Sequence, residues 1–151
     1  MPFAVWVNGA DRGRVERVAD ALAAHLAARD VPVEVLDART PGADALGARA
    51  VAVLVDALAR HGVATIVGLP LPAEDARATG ARMIEVHVCG GERPGYETPE
   101  RPEVELEPEA GVEPVVGTLE VLGFLPRGAE GAYTEDEERE VIRRLKAFGY
   151  L

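Results

Sequence analysis

The chain has 151 residues, 48% of them hydrophobic, with a mean hydropathy of +0.01, which suits one soluble domain large enough to bury a core. A formal charge of −10 argues against nucleic acid and against an anionic membrane as partners, because both require a basic surface. Cys89 is the only cysteine, so no intramolecular disulfide forms; with no basic leader and no apolar run long enough for a bilayer, a cytoplasmic location is expected.

Residues 3–7 are a short apolar run closed by Asn8-Gly9, which reads as a buried strand. Over residues 13–29, Val15, Val18, Ala19, Leu22 and Leu26 recur at helical spacing until Pro32 breaks the pattern. A second strand is expected over 33–36, ending at Asp37, and Thr40-Pro41-Gly42 reads as a loop. The spacing of Val51, Leu54, Val55 and Leu58 predicts a helix over 45–61 with Gly62 as its stop. Residues 63–69 are continuously apolar, as a central parallel strand is, and Pro70 and Pro72 end them. Residues 74–79 allow only a short helix, and 82–88 read as a fourth strand. An irregular segment follows from Cys89, then a short edge strand over 104–106. Val112, Val115, Val116, Leu119 and Leu122 mark a weaker helix over 111–122, with Pro114 in its first turn.

Strands alternating with helices imply an α/β domain over residues 1–125, with a mostly parallel sheet of four to five strands and right-handed crossovers. Residues 126–133 read as a linker and 134–151 as an appended C-terminal amphipathic helix. Thr134 and Glu137 have capping-box spacing; acidic residues crowd the start, and Arg143, Arg144 and Lys146 the end. Val141, Ile142, Leu145 and Phe148 make one apolar stripe that needs a cover. Its own domain is the simpler cover, and a second copy or partner protein the other.

The chemistry centres on the first strand, turn and helix. A glycine-bearing turn there is where a phosphate-binding loop sits, and the working motif is G-x-x-x-x-G-K-[ST]. Counted from Gly9, the second glycine falls on Arg14, the lysine on Val15 and the hydroxyl residue on Glu16. Gly9 and Gly13 with Arg12 and Arg14 suit a residual anion-binding turn at a helix N-terminus. The plainer reading is a solvated face paired with Glu16 and Asp20. Asp37, at a strand's carboxyl end, is either a ligand contact or a loop cap. His25, His61 and His87 have no metal-ligand spacing with Cys89, so no metal site is expected. No catalytic residue is assigned. Glu97, Glu100, Glu103, Glu105, Glu107 and Glu109 read as a solvated loop and edge.

Several segments resemble adenylylsulfate (APS) kinases, in order, over roughly residues 3–125. Val5-Trp6-Val7-Asn8-Gly9 is similar to the family's V-W-(F/L)-T-G opening, and Val33 to Asp37 to the strand that ends in D-G-D. Ile84-Glu85-Val86-His87-Val88 is similar to F-I-E-V-Y-V, and the stretch from Tyr96 to Val104 to P-Y-E-x-P-x-x-P-E-(V/I). The resemblance implies a three-layer P-loop NTPase-like fold and transfer of the γ-phosphate of ATP to the 3′-hydroxyl of adenylylsulfate. The departures fall on that chemistry. The loop lysine is Val15, the magnesium-binding hydroxyl is Glu16, and the second aspartate of D-G-D is Arg39. Of the family's N-I-R-R run only Arg49 persists, and residues 89–95 are too short for its lid. The expectation is a degenerate domain without phosphotransfer, binding a sulfonucleotide or another anionic small molecule, or a protein partner. The alternatives are a divergent kinase using ATP–Mg²⁺, and an assembly protein that oligomerises through its C-terminal helix. No cofactor is assigned outside the kinase alternative.

Overall fold

The computed structural model describes residues 2–80, 82–127 and 135–149. In chain order the elements are β1 (Ala4–Gly9), α1 (Arg12–Ala28), β2 (Val33–Asp37), a 3-10 turn (Ala43–Ala45), α2 (Ala48–Arg60) and β3 (Ala64–Gly68). Then follow α3 (Glu74–Ala78), β4 (Met83–Val88), β5 (Val104–Leu106), α4 (Glu113–Val121) and α5 (Glu135–Ala147). The strands form one sheet in the order β2-β3-β1-β4-β5, and every neighbouring pair is parallel.

Alternation along the strands divides the core into two layers, because successive side chains point to opposite faces. Phe3, Val5, Val7, Ile66, Ile84 and Val86 face α1 and α4, where Leu22, Leu26, Val116 and Leu119 meet them. Ala4, Trp6, Val67 and Met83 face α2 and α3, where Val51, Ala52, Val55 and Ala76 meet them. Trp6 is fully buried, and its Nε1 donates to the Leu71 carbonyl at 2.9 Å. That bond satisfies the one polar atom of the ring and pins the chain as it leaves β3. β2 and β5 are the sheet's edges, and the expected strand at 104–106 is β5, with Val104 and Leu106 buried on β4.

Two expectations shift. The second helix starts at Ala48 rather than at residue 45. Gly42, at φ +79°, turns the chain into a separate 3-10 turn, and Gly47 then occupies the N-cap position. The buried stripe of α2 is also rotated: Val51, Ala52 and Val55 are inside, while Leu54 is 40% and Val53 60% exposed. Ala52 belongs to the Trp6 layer, so a short side chain faces the sheet where periodicity placed Leu54. α5 packs against α4, with Val141 and Leu145 buried and Ile142 and Phe148 half-buried. Thr134 of the capping box, and most of the 126–133 connection, lie outside the described residues.

Candidate functional site at the carboxyl edge of the sheet

From β1 the chain crosses past β3 to reach β2, and from β3 it crosses past β1 to reach β4. The neighbours β1 and β3 therefore send their connections in opposite directions. The crevice between their carboxyl ends is the switch point at which open α/β sheets bind ligands. Here that crevice is nearly closed. A hollow of about 20 Å³ remains, lined by Asn8, Gly9, Arg12, Val15, Gly68 and Tyr96 among others.

Local sequence explains the closure. Only Ala10 and Asp11 separate β1 from α1, so Gly13 and Arg14 lie in the first helical turn rather than in a loop. A phosphate loop holds its ligand with the backbone N–H groups of a longer excursion between strand and helix. The Val15 side chain fills the gap between the two strand ends. A Cβ placed on Gly9 would lie 2.9 Å from Val15 Cγ2, and one placed on Gly68 would lie 3.3 Å from Val15 Cγ1. The start of α1 is also taken. Asp11 caps it, accepting from the Arg14 backbone N–H at 3.2 Å and facing Arg14 Nε at 3.4 Å. Arg14 Nη1 reaches the Cys89 carbonyl at 3.4 Å.

Asp37 is 2% exposed and fully engaged: Oδ1 accepts from the Arg39 backbone N–H at 2.9 Å, and Oδ2 from Arg39 Nη2 at 2.6 Å. The same guanidinium binds Asp20 at 2.8 Å and lies 4.0 Å from Glu16. Hydrogen bonds to Asp20 and then Asp37 hold Arg39 above its ordinary basicity, and Arg39 in turn holds Asp20 below the usual carboxylate range. Arg39 thus answers the charge of Asp37 from two residues along the chain. Glu16 and Asp20 do pair with an arginine, and it is Arg39 rather than the arginines of α1. Arg12 is exposed and makes no ion pair among the described residues. It lines both the crevice and an adjacent hollow of about 480 Å³ bounded by Arg39, Thr40, Asp44 and Leu46. Arg49 is exposed in the first turn of α2 and lines neither.

A further hollow, about 630 Å³, opens between α3, residues 70–73 and the 93–101 loop, next to the crevice, with which it shares Asn8, Pro70, Arg93 and Tyr96. Its base is a buried polar network. Arg77 grips Glu103 with two parallel bonds of 2.8 and 2.9 Å and reaches Glu85 at 3.4 Å. Glu85 also accepts from Asn8 Nδ2 at 2.8 Å, and its backbone N–H donates to Glu103 at 3.1 Å. Burial pushes the Glu85 carboxyl up, Arg77 opposes this, and Glu103 and Glu74 add to it. Reading Glu103 as part of a solvated acidic stretch is therefore wrong, since it is 1% exposed. The available signal was Glu85, a carboxylate flanked by Ile84 and Val86 in a strand, which requires a partner.

On the outer wall, Tyr96 Oη lies 2.9 Å from His87 Nδ1 with the rings stacked, and Arg93 sits 5.5 Å over the Tyr96 ring. Burial lowers the His87 pKa, against an opposing pull from Glu105. Burial, Glu107 and Glu105 all raise the Cys89 thiol, which disfavours the thiolate a nucleophile needs. Among the described residues no group of three or more His, Cys, Asp or Glu side chains is arranged to hold a metal ion. Nor is any helix among them long and apolar enough to cross a membrane.

No protein-family model matches the chain, and no curated protein matches it. Solved structures do. The APS kinase CysC of Mycobacterium tuberculosis, in complex with AMPPNP and APS, superposes with a TM-score of 0.60 at 18% identity, over 96% of this chain and 98% of that one. A cysteine-to-alanine mutant of the same kinase gives 0.57 at 21% identity, over 96% and 98%. The protein APE1195 gives 0.57 at 20% identity, over 97% and 95%. The chain therefore has the fold of an APS kinase, a P-loop NTPase-like α/β fold with a C-terminal helix.

Proposed function

We propose that this chain is a degenerate domain of the APS-kinase type that holds an anionic small molecule at the carboxyl edge of its sheet without transferring phosphate. The observation that carries the reading is Val15 packed between Gly9 and Gly68. Phosphoryl transfer depends on positioning and charge neutralisation. At the switch point, methyl groups stand where the fold's enzymes need a cation and a cradle of N–H groups. Asp11 already caps the helix, and Arg39 already answers Asp37. What supports binding is Arg12, a guanidinium without an ion pair among the described residues, at the junction of the crevice and the 480 Å³ hollow. Within the candidate set of Gly9, Arg12, Gly13, Arg14, Asp37 and Arg49, Arg12 is the residue on which the reading depends.

Calorimetric titration with ATP–Mg²⁺, adenylylsulfate and its 3′-phosphorylated product, paired with an ATP-turnover assay, tests this. Saturable binding of at least one anion, lost in Arg12→Ala, with no turnover, is the expected outcome. Measurable phosphorylation of adenylylsulfate overturns the non-catalytic reading and restores the divergent kinase. No saturable binding by any of the three removes the anion-holding role for this ligand class.

A further inference from the structure

Between Cys89 and Glu103 the chain crosses the carboxyl edge of the sheet as a strap fixed at both ends. Its root is the Gly90-Gly91 turn, at φ +92° and +80°, seated on the start of α1. Arg14 Nη1 occupies the place that a Gly90 Cβ would take, and a Cβ on Gly91 would lie 2.9 Å from Asp11 Cβ. Its far end is Glu103, buried and gripped by Arg77. Residues 92–101, between these anchors, hold no helix or strand. Among the described residues, one side-chain hydrogen bond and no ion pair ties that stretch to the rest of the chain: Tyr96 Oη to His87 Nδ1, at 2.9 Å. Arg93 and Tyr96 line both the crevice and the 630 Å³ hollow, so the position of this stretch governs the mouths of both.

That single tie depends on the protonation of one ring. Neutral imidazole leaves one ring nitrogen free to accept, and the Tyr96 phenol, whose proton burial helps to retain, supplies the donor. An imidazolium carries a proton on both nitrogens, so Nδ1 no longer accepts. The groups around His87 are Asn8 of β1, Glu105 of β5, Glu85 and Cys89 two residues to either side, and Tyr96 and Arg93 of the strap. Arg77 of α3 is engaged by Glu85 and Glu103. Only Glu105 pulls towards the charged ring, and it is exposed; burial opposes it and is the larger effect. We propose that residues 92–101 are a pH-sensitive strap, latched by the Tyr96–His87 contact at neutral pH and released by protonation of His87, which opens the mouths of the crevice and the hollow. The latched ring takes its proton below its ordinary value of 6.5, so the contact is intact above 6.5 and is lost as pH falls through the lower value of the latched state.

A nitroxide label on the exposed middle of the strap, attached through Thr98→Cys in a Cys89→Ser background, reports its motion by electron paramagnetic resonance. The same label attached through Ala24→Cys, at an exposed position of α1, is the control. Expected are an immobilised spectrum at position 98 above neutral pH, a mobile component that grows on acidification with its midpoint below pH 6.5, and no change at position 24. His87→Gln keeps an acceptor without a titration and is expected to hold the strap across the whole range. Tyr96→Phe removes the donor and is expected to leave the strap mobile throughout. Equal mobility at both ends of the range in the parent overturns the proposal, as does a transition that survives unchanged in His87→Gln. A transition shared by position 24 is unfolding of the domain and overturns it too. If His87→Gln does not fold, an unchanged transition in Tyr96→Phe overturns it equally.

Discussion

Gly9 has no room for a side chain, because its Cβ would meet Val15 Cγ2 at 2.9 Å and the Val88 carbonyl at 3.1 Å. Gly9→Ala is expected to cost about 1–3 kcal/mol by overpacking. Combining it with Val15→Ala should recover part of that loss, since the two sites touch and do not add. Denaturant unfolding of the two singles and the double checks this; strict additivity would show that Val15 does not seal the crevice. Arg77→Ala leaves Glu103 buried without its cation and is expected to cost about 3–5 kcal/mol. Glu85 makes stability pH-dependent. Its carboxyl sits above the ordinary value of 4.5, so the folded state binds the extra proton. Its contribution is intact below the unfolded-state value and is lost as pH rises through the folded one. Unfolding curves taken across that window should show the wild type losing stability relative to Glu85→Gln as pH rises; parallel curves would sink the assignment. These pairings were only half legible in sequence. A glutamate amid apolar strand residues announces a buried charge, but nothing local says that Glu103, many residues on, shares its arginine.

At the scale of the element, α1 shows how one cap decides what a helix start is for. The Asp11 carboxylate accepts from the Arg14 backbone N–H, one of the groups that an anion would use. Asp11→Ala is expected to cost about 1 kcal/mol of stability. It should at the same time enlarge the thermal stabilisation produced by inorganic phosphate. An unchanged phosphate response would separate the helix start from any anion site. The helix itself was readable from Val15, Ala19, Leu22 and Leu26, all of which are buried. α2 was readable as an element but not in its rotation. Val51, Leu54, Val55 and Leu58 satisfy helical spacing, yet the face that meets the sheet is chosen by how closely the axis approaches the Trp6 layer. There Ala52 is inside and Leu54 is 40% exposed.

For the whole molecule, α5 covers α4 within the same chain. Leu145 is fully buried, so Leu145→Ala is expected to lower stability by about 2–5 kcal/mol. The mass measured by light scattering should stay that of the full-length chain. A chain ending after Arg127 uncovers the α4 side of this contact and is expected to melt lower and to self-associate. If instead the full chain is an oligomer that the truncation makes monomeric, the helix docks between chains and the assembly reading is restored.

By itself the sequence determined the order of strands and helices, because periods of two and of 3.6 residues are local properties, punctuated by glycine and proline. It determined as well that the residues at the motif positions after Gly9 are not those of a phosphate loop, since that is a matter of identity and spacing. Tertiary structure alone decided what fills the space at the strand ends. Val15 between two strand ends, Arg39 on Asp20, and Arg77 between Glu85 and Glu103 all join residues that the fold, not the local chain, brings together. Burial is what gives the pairings of Glu85 and Glu103 their weight. A charge costs little on a solvated loop, but beneath a sheet it must find its partner wherever the chain happens to bring one.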